Sequence, residues 1–391
     1  MISLDSKSNC CGCRACEQIC PRNCITLRPD ECGFLYPVVN TNSCINCDLC
    51  RKACPILNSS VPNNFNKRVY AMAHHEENEV IHSSSGGAWS GICRWGIENN
   101  YVIYGVIFDE NWKAVYRKAV SLKECDAFRG SKYIQSDPMN SFEEIKHTLE
   151  DGGKVIFSGT PCYVKALRNF LKRDFDSLLT VDLICHGVPS PTIWEAYIRF
   201  LEKKEKSKII SINMRDKRLG WNHRSLTSVK FENNKEICDT PTSNTFMDGF
   251  GQELFFRPSC YECHFSNLNR PGDLTIGDFW GINDCSQNFY GVQGVSCCIC
   301  NNKKGEKVFS EIQESFIVEE KTIEECMQPN LSFPTRINSQ VYVFWHDWRL
   351  SNGNFAFIAN KYFKYTLKNR LRYIIKNKLP IVLTIKKYIK K

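Results

Sequence analysis

The stretch from Cys10 to Pro55 constrains this chain more than any other. Cys10, Cys13, Cys16 and Cys20 followed by Pro21 spell C-x2-C-x2-C-x3-C-P, and Cys44, Cys47, Cys50, Cys54 and Pro55 spell it again. A cubane of iron and sulfide needs four thiolates at tetrahedral corners. Two-residue gaps let one tight loop supply three of them, and a proline just past the fourth stops the loop running on as a helix. Zinc sites use two C-x2-C pairs rather than two three-plus-one runs each closed by Pro, and disulfide frameworks belong to oxidising compartments. The runs point to two 4Fe–4S clusters and to electron transfer.

In this spacing residues 1–60 resemble the bacterial two-cluster ferredoxins, in which the fourth cysteine of each run ligates the other run's cluster. The resemblance implies Cys10, Cys13, Cys16 and Cys54 on one cluster, and Cys44, Cys47, Cys50 and Cys20 on the other. The chain has 391 residues, so roughly 330 remain for one large domain or two ordinary ones. A polar linker is expected at residues 58–64. The 23 cysteines fit a reducing compartment. Met1-Ile2-Ser3-Leu4-Asp5 has neither the basic nor the apolar part of a signal peptide, and no apolar run approaches the roughly 18 residues of a membrane span. A cytoplasmic protein is the expectation.

Beyond residue 65 the pattern alternates. Strands are expected at 69–73, 101–108, 154–158, 178–185, 209–214, 226–231, 274–277 and 295–300. Helices are expected after Gly87, over 139–149, after Cys162 and over 192–204. This is α/β or α+β in character, with a mixed sheet more consistent than a purely parallel one.

Chemistry-bearing residues recur along this body. Cys162 follows Gly159-Thr160-Pro161 at a helix start, Cys185 ends a strand before His186, and Cys260 and Cys263 form a C-x2-C pair. A thiol at a helix N-terminus ionises readily, as a cluster ligand must. These four either hold a third cluster or are buried structural cysteines. Ser85-Gly86-Gly87 opens a helix, where glycines and free amides suit an anion or simply a tight turn. The run 129–136 adds charge, hydroxyls and an aromatic. His186 is either a proton donor or a satisfied strand-end histidine, and the basic run 214–221 either an anion contact or a solvated loop.

Taken in order, Ser85-Gly86-Gly87, residues 130–136, Gly159-Thr160-Pro161-Cys162, residues 185–191, Cys260-x2-Cys263 and residues 272–278 resemble the coenzyme F420 hydrogenase/dehydrogenase beta-subunit family, in a bacterial branch carrying the two-cluster module. The resemblance implies a flavin-binding domain with FAD and a third 4Fe–4S cluster on Cys162, Cys185, Cys260 and Cys263. It places Ser85, Gly86, Gly87, Ser131, Lys132, Tyr133, Gln135, Ser136, Gly159 and Thr160 near the flavin. Residues 66–150 and 151–330 would then be the two parts of that domain, with 331–391 a helical basic tail.

Residues 361–391 hold eleven Lys and Arg and no acid, leaving the rest of a chain of net charge +9 close to neutral. A basic amphipathic tail suits peripheral contact with an anionic membrane, docking of an acidic redox partner, or packing onto the body. Nothing else points to nucleic acid. The function expected is an iron–sulfur flavoprotein oxidoreductase. It would take electrons from a ferredoxin or partner subunit, pass them through the clusters to the flavin, and act on a small molecule, in a branch met in polysaccharide-related settings. The alternative is an electron-relay subunit without a substrate of its own.

Overall fold

The structure, a computed structural model, describes residues 1–61, 65–221 and 226–378. In chain order its strands are β1 (Ile25–Pro29), β2 (Leu35–Val39), β3 (Arg68–His74), β4 (Tyr101–Phe108), β5 (Ala114–Ala119), β6 (Lys154–Gly159), β7 (Leu178–Leu183), β8 (Ile209–Asn213), β9 (Ser228–Phe231), β10 (Glu236–Cys238), β11 (Leu274–Asp278), β12 (Ser296–Cys300) and β13 (Phe316–Lys321). The chain forms two compact units. One comprises Met1–Pro191 with Phe256–Arg336, the other Thr192–Phe255 with Ile337 onward.

The first unit is built on an eight-stranded sheet of order β13-β3-β12-β11-β7-β6-β4-β5. Its centre, β4, β6, β7 and β11, is parallel, and the flanking pairs are antiparallel. The mixed sheet expected from the sequence is therefore present. In β6 the run Val155-Ile156-Phe157 is wholly buried, as a strand covered on both faces must be. Ile156 packs with Ile92, Ile103, Val181 and Phe309 under the helices Ala88–Glu98 and Lys303–Ile312. Val155 and Phe157 face the opposite way, against Phe142, Ile145, Val164 and Leu167 of Ser141–Glu150 and Pro161–Leu171.

Cys11, Cys13, Ala15 and Ala53 join that second cluster, so the cysteine-rich module packs on the same face as the helix Pro161–Leu171. The module is tied down by polar contacts spanning more than a hundred residues of sequence. Arg14 Nε meets Asp137 Oδ1 at 2.7 Å, and the Gln18 side-chain oxygen accepts from Phe142 N at 3.1 Å. Tyr163 Oη donates to Gly12 O at 3.2 Å, and Ser190 Oγ to Cys32 O at 2.6 Å. The polar stretch after the module begins in contact with it, since Asn58 Nδ2 donates to Arg51 O at 2.7 Å. Residues 62–64 lie outside the described residues.

The second unit carries the antiparallel sheet β8-β9-β10. Its core is aromatic, with Trp194, Tyr197, Phe246, Phe255, Phe344 and Phe363 all buried. The basic run 214–221 is not a solvated loop. Arg215 and Lys217 are buried, and Arg218 pairs with both Asp216 (2.8 Å) and Glu236 (2.5 Å). The chain continues through helices Val341–Leu350, Phe355–Tyr362 and Leu367–Lys378. The part of the basic tail from 379 on lies outside the described residues. Among the described residues no helix is long and apolar enough to cross a membrane.

Candidate functional site

The two cysteine runs adopt the same backbone path. Gly12 and Arg14 flank Cys13 in the left-handed region (φ 75° and 56°), and Asn46 and Asp48 flank Cys47 in the same way (φ 54° and 58°). Left-handed residues on both sides of the middle cysteine curl the chain about a point, which aims three thiols inward. Gly and Asn bear this conformation at least cost. Cys20 lines one cavity with Cys44, Cys47 and Cys50. Cys54 instead lies near Cys10, Cys13 and Cys16, close enough to raise the thiols of Cys13 and Cys16. The fold thus places Cys20 beside the second run and Cys54 beside the first. Backbone amides already point at the sulfurs: Ile2 N lies 3.2 Å from Cys50 Sγ and Asn46 N 3.5 Å from Cys44 Sγ.

The second gathering of thiols sits at the carboxyl ends of the adjacent parallel strands β6 and β7, where α/β sheets place their ligands. β6 ends at Gly159, and its helix opens with Thr160 as N-cap, Pro161 at N1 and then Cys162. Cys185 follows β7, and Cys260 and Cys263 come from the short turn Pro258–Tyr261 and the residues after it. All four line one cleft, together with Cys11, Tyr163, His186, Arg257 and Arg270.

Their chemistry fits a cationic cluster. Burial, reinforced by Cys162 and Cys263, pushes the Cys185 thiol up to about 12. Burial, then Cys185, holds the Cys260 thiol well above its usual range. Four enclosed thiols that raise one another are stable as thiolates only around a cation. Donors for such thiolates are in place, with Val188 N 3.4 Å from Cys260 Sγ, Phe265 N 3.4 Å from Cys263 Sγ, and Thr160 Oγ1 3.3 Å from Cys162 Sγ.

The residues expected near a flavin fall into two groups. Ser85, Gly86 and Gly87 precede the helix Ala88–Glu98, whose N-cap is Gly87 at φ 90°. Ser84 Oγ receives both Ser131 N and Ser131 Oγ at 2.8 Å, which draws Ser131 and Lys132 to this turn. Among the described residues Lys132 Nζ donates to neutral carbonyls, those of Ala127 and Arg129. Burial lowers it to about 7. An amine so enclosed, bonded to neutral carbonyls, suits an anionic group such as a phosphate. Part of the turn has a packing role as well: a Cβ on Gly86 would stand 2.6 Å from Ser296 N and collide with Met72 O.

The other group lies beside the thiol cleft. Gln135 Nε2 donates to Cys11 O (3.1 Å) and Tyr163 Oη (3.2 Å). Ser136 O, 2.9 Å from Tyr163 Oη, shares that hydroxyl's proton with Gly12 O. Gly159 and Thr160 lead into Cys162, and Tyr133 lies between the two groups in sequence. His186 lines the cleft, with Nδ1 3.1 Å from Asn330 Oδ1 and its ring edge-on to Phe256.

Four participants carry no local signal in the sequence. Cys11 lies outside the ligand spacing, yet its thiol contacts both Cys13 and Cys162. Arg270 and Asp182 form a wholly buried ion pair at 2.6 Å that fixes the loop after Cys263 to the end of β7. Arg257 is buried between the first cysteine loop and the cleft.

Residues 152–326 match the family model for the C terminus of the coenzyme F420 hydrogenase/dehydrogenase beta subunit. An uncharacterized protein of Methanocaldococcus jannaschii is 23% identical over 198 residues, 44% of this chain and 55% of that protein. The chain thus spans about half the length of this curated relative. A chain of the F420-reducing NiFe hydrogenase complex from Methanosarcina barkeri aligns over 79% of this chain and 91% of its own, with TM-score 0.45 and 15% identity. Over the segment matched by the family model the resemblance read from the motifs holds, and that segment contains Cys162, Cys185, Cys260 and Cys263, whereas Ser85-Gly86-Gly87 and residues 130–136 lie outside it.

Proposed function

With residues 152–326 similar to the C-terminal part of the coenzyme F420 hydrogenase/dehydrogenase beta subunits, we propose that this chain is an iron–sulfur flavoprotein oxidoreductase. It would carry two 4Fe–4S clusters in its N-terminal module and a third on Cys162, Cys185, Cys260 and Cys263, with FAD beside them. The observation that carries this reading is the convergence of four cysteines from three separate segments on one cleft, next to the cysteine loop of the module. When bound, such clusters pass single electrons and a flavin collects them in pairs for a substrate.

The chain's own residues supply position and charge. The left-handed pairs around Cys13 and Cys47 aim the thiols, and the amides of Ile2, Val188 and Phe265 hydrogen-bond them as thiolates. Lys132 and the turn Ser85-Gly86-Gly87 would hold the flavin's phosphates. His186, set against Asn330, would be one of the groups of the cleft that could serve as a proton donor. The electron donor is a ferredoxin or a redox partner subunit, meeting the module on the side where Cys47 is exposed. The final acceptor is a small molecule.

Iron, sulfide and flavin content of protein purified without oxygen tests this, comparing wild type with Cys260→Ala. About twelve irons and one flavin per chain, falling to about eight irons in the variant, are expected at four irons per cluster. About eight irons in both, with no flavin, would refute the third cluster and the flavoenzyme.

A further inference from the structure

Arg257 is fully buried, yet among the described residues its hydrogen bonds all go to neutral groups. Its Nε donates to Cys10 O at 2.6 Å, Nη1 to Gln135 Oε1 at 2.9 Å and Nη2 to Leu35 O at 2.8 Å. The guanidinium lies over the Tyr36 ring, 4.5 Å from its centroid, and beside Phe34 at 5.4 Å. Arg270, also buried, is treated differently, being paired with Asp182, and the partly buried Arg168 and Arg14 are paired with Asp273 and with Glu17 and Asp137. A buried cation without a counter-charge is costly, and arginine does not escape the cost by losing its proton.

The first cysteine loop is laid directly on this cation. A Cβ at Gly12 would stand 2.7 Å from Arg257 Nη1 and would collide with Gln135 Nε2. The same guanidinium lines the cleft of Cys162, Cys185, Cys260 and Cys263. The second ligand set has different surroundings. Its cavity is lined by an exposed arginine, Arg22, and by Met1 and Asp48, whose ammonium and carboxylate pair with each other at the surface, and Cys47 is exposed.

We propose that Arg257 is the counter-charge of the cluster held by Cys10, Cys13, Cys16 and Cys54, and that it sets the direction of electron flow through the module. Four thiolates on a cubane carry net negative charge, and each electron added increases it. A fixed cation in a dry site favours the reduced form, which raises this cluster's potential above that of its neighbour on Cys20, Cys44, Cys47 and Cys50. An electron arriving at the second ligand set, where Cys47 is exposed, would then be drawn toward the set beside Arg257, with no proton required. The inference rests on the cluster assignment proposed above.

The test is a redox titration followed by electron paramagnetic resonance, on the full chain purified without oxygen, with iron content measured alongside. The variants are Arg257→Met, Arg257→Lys and Gln135→Glu; the last places a carboxylate against the guanidinium without removing it. In Arg257→Met and Gln135→Glu the higher of the two module potentials falls by at least tenfold in the reduction equilibrium, which is about 59 mV for one electron. The lower potential stays put, and Arg257→Lys keeps most of the wild-type value. If Arg257→Met does not fold, Gln135→Glu decides. Wild-type iron with unmoved potentials in the folded variants, or an equal fall in Arg257→Lys and Arg257→Met, would overturn the role of Arg257 alone. Wild-type protein without iron would overturn the cluster assignment as well.

Discussion

Replacing Asp182 by Asn removes one charge from the centre of the first unit while leaving its shape. Asp182 and Arg270 are 0% and 1% exposed at the side chain, and Asp182 Oδ1 accepts from Arg270 Nη2 at 2.6 Å and Nε at 3.0 Å. Thr275 Oγ1 donates to the same oxygen at 2.8 Å, and Gly272 N to Oδ2 at 2.7 Å. The amide introduced by Asp182→Asn would leave the Arg270 charge buried and uncompensated, and its NH2 end would face either Gly272 N or the guanidinium, donor against donor. Breaking a buried pair in this way costs about 3–5 kcal/mol. That is a large share of the roughly 5–15 kcal/mol that holds a protein folded. At about 2–4 °C per kcal/mol for a body of this size, the thermal midpoint should fall by roughly 6–20 °C. Arg270 also donates to Phe265 O and Leu183 O, so the loop carrying Cys263 loosens from β7, and the iron assigned to the third site should be lost first on mild chelation. Circular dichroism melts and iron release, each against wild type, provide the measurement. A midpoint within about 2 °C of wild type, with unchanged iron release, would refute the reasoning, since a charge left unpaired in a dry site cannot be that cheap.

Two further outcomes are expected. Gly12→Ala should destabilise by at least about 2 kcal/mol in denaturant titrations, the left-handed backbone contributing about 1–2 kcal/mol and the collision with Arg257 and Gln135 the rest. Gly130→Ala, at φ 74° with nothing within 4 Å of the added carbon, should cost only the backbone part. Asp273 governs an acid limb. Burial alone would raise its carboxyl, but Arg168, Asn302, Lys304 and Thr180 N outweigh burial and hold it below its ordinary 3.8. Its contribution is therefore complete above about pH 4 and lost as pH falls through the lower folded value. Asp273→Asn should be less stable than wild type at about pH 7 in denaturant titrations and show a flatter decline between about pH 4 and pH 2; parallel pH curves would show that Asp273 is not the group responsible.

Much of the first unit was readable because the signals were local. The buried run of β6, the Gly-Thr-Pro entry to the helix carrying Cys162, and the two cysteine runs each announce themselves within a dozen residues. The outer strands β5 and β13 were not, since Tyr116-Arg117-Lys118 and Glu319-Glu320-Lys321 carry charges that an edge strand tolerates and a propensity reading discounts. Arg257 reaches Cys10 across 247 positions of sequence, and nothing in Phe256-Arg257-Pro258 says that the guanidinium will be enclosed. The basic run at 214–221 shows the same limit from the other side. Charge density reads as solvent contact, whereas the fold pairs Arg218 with Asp216 and Glu236 and buries Arg215 and Lys217.

The chain leaves the first unit after Pro191 and re-enters it at Phe256. At that crossing the outgoing and returning strands are already zipped, through the bridge of Pro189 with Phe256 and the bond from Arg257 N to Val188 O at 2.9 Å. The excursion of 192–255 thus starts and ends at a closed neck. The site of Cys185 and Cys260 straddles that neck, one thiol on each passage. A cluster bound there, as proposed above, would also clasp the neck. Among the described residues the thiol cleft thus draws none of its lining from 192–255.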